Sequence, residues 1–189
     1  MIEKKKIAIF ASGSGTNFEA IAQACLNDRI NAEVVLCVCD QPGAYVTERA
    51  KRLHIPVLEL HAKSFPTKSE YETVILEELG KKGVNFICLA GYMRIIGDVL
   101  IRAYEGKIIN IHPSLLPAFP GVDAIGQALK YGVKVFGVTV HYVDHTLDGG
   151  KIISQAAIPY DGDDREELEA MVHAREHALY VSTLHTLMN

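Results

Sequence analysis

Asn110 and His112 stand one residue apart in Ile109-Asn-Ile-His-Pro113. If this segment is a strand, alternation projects both side chains from the same face. An amide able to polarise a carbonyl would then lie beside an imidazole able to carry a proton. Taken alone, the pair reads equally well as a satisfied structural contact. A second feature is Leu147-Asp-Gly-Gly150. An acidic residue before two glycines is ordinarily a turn. The functional alternative holds the Asp148 carboxylate against His112, where it would orient the ring and favour the imidazolium. Spacing does not establish that contact.

The third feature is the glycine-rich run Ser12-Gly-Ser-Gly-Thr-Asn17. Backbone N–H groups in such a turn, at a helix N-terminus, suit an anion. Thr16 and Asn17 add side-chain donors. A dinucleotide loop asks for Gly-x-Gly-x-x-Gly, yet Phe18 occupies the third glycine position, and no Walker lysine follows. The loop reads as a site for a phosphate monoester rather than for NAD or ATP. The plain alternative is a tight strand–helix turn with no ligand.

Other reactive side chains say less. His54, His61 and His185 read as surface residues. His141, in Val138-Thr-Val-His-Tyr-Val143, could face core or cleft, and His145 lies in the loop before Asp148. His173 and His177 are separated by Ala-Arg-Glu rather than arranged as His-Glu-x-x-His, so no metal is expected. Cys25, Cys37, Cys39 and Cys88 include no Cys-x-x-Cys pair and read as buried free thiols of a reducing cytosol. Cys37 and Cys39 fall on one face of a strand by period two.

Several elements must position these groups. Ile7–Ala11, Val34–Cys39, Val57–Leu60 and Phe86–Ala90 read as buried strands. Asn17–Asn27, Ala44–Leu53 and Ser69–Lys82 between them read as helices. Ser69-Glu-Tyr-Glu72 has capping-box spacing, and Gly80 and Gly83 suit the helix end. This alternation implies a mostly parallel sheet with helices on both faces. Lys107–Ile111 reads as a further strand. It runs into a segment holding Pro113, Pro117 and Pro120, three of the chain's seven prolines, which is neither helix nor central strand. A short helix spans Asp123–Tyr131. Val135–Val143 and Lys151–Ile158 read as an antiparallel pair. A final helix, capped by Asp163 or Asp164, runs from Arg165 to about Leu187.

Composition narrows the function classes. The chain has 189 residues, which suits one domain. Hydrophobic residues make up 49% and charged residues 22%, so a packed core is expected. The net charge of -4 disfavours a nucleic-acid partner. Lys4, Lys5 and Lys6 precede an apolar run of only five residues, too short for a signal peptide, and no run approaches a membrane span. A cytoplasmic enzyme or binder is expected.

Four segments in register resemble the phosphoribosylglycinamide formyltransferases: Ser12-Gly-Ser-Gly-Thr-Asn17, Leu89-Ala-Gly-Tyr-Met-Arg-Ile95, Ile109-Asn-Ile-His-Pro-Ser-Leu-Leu-Pro117 and Leu147-Asp-Gly-Gly150. The resemblance covers essentially the whole chain. It implies a Rossmann-like formyltransferase fold and one domain over residues 1–189. It implies formyl transfer from 10-formyltetrahydrofolate to the amine of phosphoribosylglycinamide, in purine synthesis, without a metal.

By the same resemblance, Asn110, His112 and Asp148 are catalytic. Gly15, Thr16 and Asn17 hold the ribonucleotide phosphate, and Glu176 contacts its ribose. Lys68, Met93, Arg94, Ile95, Ile96 and Asn110 face folate, together with Asp144, His145, Thr146 and Leu147 around the pterin. Lys151 after the double glycine, His173 on the last helix and Val181 after Tyr180 depart from the family pattern. The implied partners are these small molecules, not nucleic acid or membrane; monomer and homodimer both stay open. A formyltetrahydrofolate deformylase is the nearest alternative. It would carry a further N-terminal domain, for which the first strand, starting near Lys6, leaves no room. A dinucleotide oxidoreductase is disfavoured by Phe18, and turnover separates either enzyme from a non-catalytic folate or nucleotide binder.

Overall fold

Short apolar runs become the inner strands of a seven-stranded sheet in the computed structural model, which describes residues 3–189. The first half contains β1 (Lys5–Ala11), α1 (Thr16–Leu26), β2 (Ala32–Cys39), α2 (Tyr45–Arg52), β3 (Val57–Glu59), α3 (Lys68–Lys81) and β4 (Phe86–Leu89). The second half contains α4 (Asp98–Ala103), β5 (Ile108–His112), α5 (Ala124–Tyr131), β6 (Val135–Tyr142), β7 (Ile152–Pro159) and α6 (Arg165–Met188). The sheet order is β3-β2-β1-β4-β5-β6-β7. Strands β1 to β5 are parallel, whereas β6 runs antiparallel to both β5 and β7. The expected mixed sheet is present.

Alternation within the inner strands feeds two cores. Ile7, Ile9, Cys37 and Cys39 pack with Phe18, Ile21, Val46 and Tyr180 from α1, α2 and α6. Ala8, Phe10, Leu36 and Val38 pack on the opposite face with Tyr71, Ile75, Leu79 and Leu100 from α3 and α4. Covering both faces explains the unbroken apolar runs. All four cysteines are free and buried, and burial pushes the Cys37 thiol up to about 12, where it is a poor nucleophile. Among the described residues, no helix is long and apolar enough to cross a membrane.

Element boundaries shift where side chains compete for backbone groups. The cap of helix α3 is Thr67, two residues before the expected Ser69, and its side chain accepts from the Glu70 N–H at 3.1 Å. Glu72 is released from any cap and is buried, accepting from the Gly97 N–H at 2.6 Å. Gly80 lies inside the helix, and Gly83, at φ 64°, is the residue that ends it. Asp164, not Asp163, caps α6 by accepting from the Glu166 and Glu167 N–H groups. Helix α4 is additional to the expected elements. Its six residues are too few to show a helical period.

The chain winds outward from β1 to β3, then returns to place β4 on the other side of β1. Ligands in such sheets bind outside the carboxyl ends of the strands at this reversal.

Candidate active site

The carboxyl ends of β1, β4 and β5 open into a cavity of about 600 Å³. That size suits small-molecule binding. The glycine loop forms one wall. Gly15 caps α1 with φ 78°, and a Cβ there would overlap Val46, so only glycine fits. Thr16 and Asn17 open the helix. Asn17 is buried, and its Nδ2 donates to Glu176 Oε2 at 3.3 Å. Its Oδ1 has no partner among the described residues. Glu176 is buried on α6 and also meets His173 Nδ1 at 2.9 Å, which raises the His173 pKa above its ordinary 6.5.

Asn110 and His112 project into the same cavity from β5, and Asp148 reaches it from the β6–β7 connection. His112 Nδ1 lies 3.5 Å from Asp148 Oδ2, and its Nε2 lies 2.8 Å from the Phe119 carbonyl oxygen. The carbonyl can only accept, so Nε2 carries a proton. Asp148 Oδ2 also accepts from the Gly121 N–H at 2.8 Å. Asp148 sits in the left-handed region at φ 49°, which aspartate tolerates better than most residues. A Cβ at Gly150 would overlap the Tyr142 carbonyl oxygen, so the double glycine shapes the backbone that presents Asp148.

His141 is buried in the cavity wall opposite Asn110 across the β5–β6 pair. Its Nδ1 lies 2.8 Å from the Tyr142 carbonyl oxygen and therefore holds the proton. Burial lowers its pKa, outweighing the carbonyl and Asp148 nearby, so Nε2 is a bare acceptor. Asn110 Nδ2 donates to it at 3.2 Å. The side-chain amide is thereby oriented, with one N–H bound to His141 and one left for a ligand. The alternation that placed Asn110 and His112 together did not resolve which way His141 faces. Strand pairing with β5 decides it.

The Met93–Ile96 segment forms another wall. Met93 and Ile95 are exposed, Ile96 is buried, and the Arg94 guanidinium lies 5.3 Å from the Tyr71 ring centroid. Asp144 to Leu147 border the cavity. Thr146 N–H donates to Asp144 Oδ1 at 2.7 Å, and His145 meets Asp98 at 3.3 Å. Lys68 is exposed at the start of α3, outside the cavity lining and close to Gly97. The remaining expected site residues all line the cavity. Segment Pro113–Phe119 is held by Thr139, whose Oγ1 donates to Ser114 O at 2.7 Å and accepts from the Leu116 N–H at 3.1 Å. Among the described residues, no three metal-binding side chains cluster.

The model of the formyl transferase family matches residues 5–184. Phosphoribosylglycinamide formyltransferase of Bacillus subtilis is 52% identical over 185 residues, 97% of this chain and 95% of that protein. The trifunctional purine biosynthetic protein adenosine-3 of Drosophila pseudoobscura is 42% identical over 92% of this chain, which spans 13% of that longer protein. Glycinamide ribonucleotide transformylase 1 from Geobacillus kaustophilus superposes with a TM-score of 0.96 at 52% identity, covering 98% of this chain and 100% of that one.

Proposed function

The chain belongs to the formyl transferase family, and from that premise we propose that it moves a formyl group from 10-formyltetrahydrofolate to the amine of glycinamide ribonucleotide. It is a formyltransferase of purine biosynthesis. The observation that supports the substrate reading is the meeting of Asn110, His112 and Asp148 in one cavity with the glycine loop and the Met93–Ile96 wall. We take residues 1–189 as one formyltransferase domain acting in the cytoplasm; residues 1 and 2 lie outside the described residues.

In this reading, Gly15, Thr16 and Asn17 hold the phosphate, with Glu176 at the ribose. Met93, Arg94, Ile95 and Ile96 hold folate with the Asp144–Leu147 loop, and Lys68 acts from the rim. The neutral amine attacks the formyl carbon, forming a new carbon–nitrogen bond and a tetrahedral oxyanion. The free N–H of Asn110 stabilises that oxygen, the kind of term that dominates acyl transfer. The carbon–nitrogen bond to folate then breaks. The amine loses a proton and the folate nitrogen gains one, a transfer suited to His112 or to a water it positions. Asp148 holds the ring. Both His112 nitrogens face protein acceptors, so a proton delivered to substrate leaves a nitrogen that exchanges its protein partner for the ligand. Holding both reactants in one cavity supplies the orientation term.

The deciding experiment incubates the protein with both substrates and follows tetrahydrofolate release. Turnover that requires the ribonucleotide and yields its formylated product is expected. Release of formate without the ribonucleotide would identify a deformylase instead.

A further inference from the structure

Ser12 ends β1's run into the glycine loop, and three hydrogen bonds converge on it. Its backbone N–H donates to Gly91 O at 3.1 Å. Its hydroxyl donates to Asp40 Oδ1 at 2.5 Å, and its Oγ accepts from the Met93 N–H at 2.9 Å. Asp40 follows β2 and is 2% exposed. Its other oxygen accepts from Gln41 Nε2 at 3.3 Å, and no lysine or arginine pairs with it among the described residues.

A carboxylate buried without a cation is costly, so its retention calls for a compensating role. The Ser12 hydroxyl donates its one hydrogen to the Asp40 carboxyl oxygen. That leaves a Ser12 lone pair aimed at the Met93 N–H. Without Asp40 the hydroxyl could rotate and turn its own proton toward that N–H. The carboxylate therefore sets the polarity of the whole chain of bonds.

The stretch from Gly91 to Gly97 has neither helix nor strand to hold it. Its far end is tied by the Gly97 N–H to Glu72, and Tyr92 is tied to Tyr71 at 2.7 Å. Ser12 supplies the anchor between this stretch and the glycine loop. The three parts meet at the carboxyl ends of adjacent parallel strands β2, β1 and β4.

We propose that Asp40 and Ser12 are positioning residues: a buried relay that locks Met93–Ile96 against the glycine loop and thereby sets affinity for the folate formyl donor. The inference rests on the folate assignment of Met93–Ile96 above. Neither side chain is placed against substrate.

Ser12→Ala, Asp40→Ala and Asp40→Asn test it. The asparagine keeps an oxygen that accepts from Ser12 while removing the charge. Hydrogen exchange at the Met93 amide and separate KM values for the two substrates are measured, with circular dichroism verifying the fold. Ser12→Ala and Asp40→Ala should raise Met93 exchange and the folate KM about 3- to 10-fold, the scale of one hydrogen bond. For the Asp40 variants, both kcat and the ribonucleotide KM should stay within about twofold, and the double alanine variant should be no worse than Ser12→Ala, because the two act as one unit. Asp40→Asn should restore Met93 protection and folate KM. Wild-type values in both alanine variants would overturn the relay. So would Asp40→Asn failing as badly as Asp40→Ala, or equal rises in both KM values at Asp40→Ala. Absence of wild-type turnover would count against the functional reading alone, since Met93 exchange still decides the relay.

Discussion

His112 has an acceptor against each ring nitrogen, the Asp148 carboxylate at Nδ1 and the Phe119 carbonyl at Nε2. His112→Ala should lower kcat about 10²- to 10⁴-fold while circular dichroism stays native. Near wild-type turnover would remove His112 from the proton path. Two other histidines give opposite pH signatures. His173 has a raised pKa because Glu176 binds it, so its imidazolium stabilises the fold fully below 6.5, and that contribution disappears as pH rises through the higher folded value. The wild-type advantage over His173→Ala in denaturant midpoint should therefore shrink as pH rises above 6.5; an advantage that grew with pH would contradict the pairing. His141 has a lowered pKa from burial, so its neutral form stabilises above 6.5, and the contribution is lost as pH falls through the lower folded value. The orientation of the Asn110 amide depends on that neutral ring.

At the scale of elements, the start of α3 carries the clearest consequence. Thr67→Ala removes the only side-chain cap of that helix and should cost about 1 kcal/mol in urea unfolding. Ser69→Ala should cost far less. A larger loss at Ser69 would restore the box expected at Ser69–Glu72. The two readings share a Ser/Thr-x-x-Glu spacing, and both fit the local sequence. What separates them is Glu72, which leaves the helix surface for the Gly97 N–H, a partner 25 residues away. Helix α4 stayed hidden for a different reason. With under two turns, it is held by packing of Leu100 and Ile101 rather than by a periodic face of its own.

Across the whole molecule, α6 is fastened through Tyr180. Its buried hydroxyl lies 3.0 Å from the carbonyl oxygens of both Leu89 and Ile109, which share its one proton, and so it bridges β4 and β5 beside the cavity. Tyr180→Phe should lower stability by about 1 to 3 kcal/mol in chemical denaturation, with a neutral result refuting the tie. The same helix carries Glu176 to Asn17, 159 residues away in the chain. Parallel strands, their order of helices, the glycine loop and the Asn-x-His face are all legible in the linear chain, because each depends on residues within a few positions of one another. Local chain geometry enforces period two in strands, and glycine permits the φ > 0 that the turn at Gly15 requires. The side His141 presents, the retreat of Lys68 from the cavity, the burial of Asp40 beside Ser12 and the approach of Asp148 to His112 depend on how the strands pair and how the loops cross between them. Those contacts join residues tens of positions apart, and burial, not sequence spacing, determines which of them form.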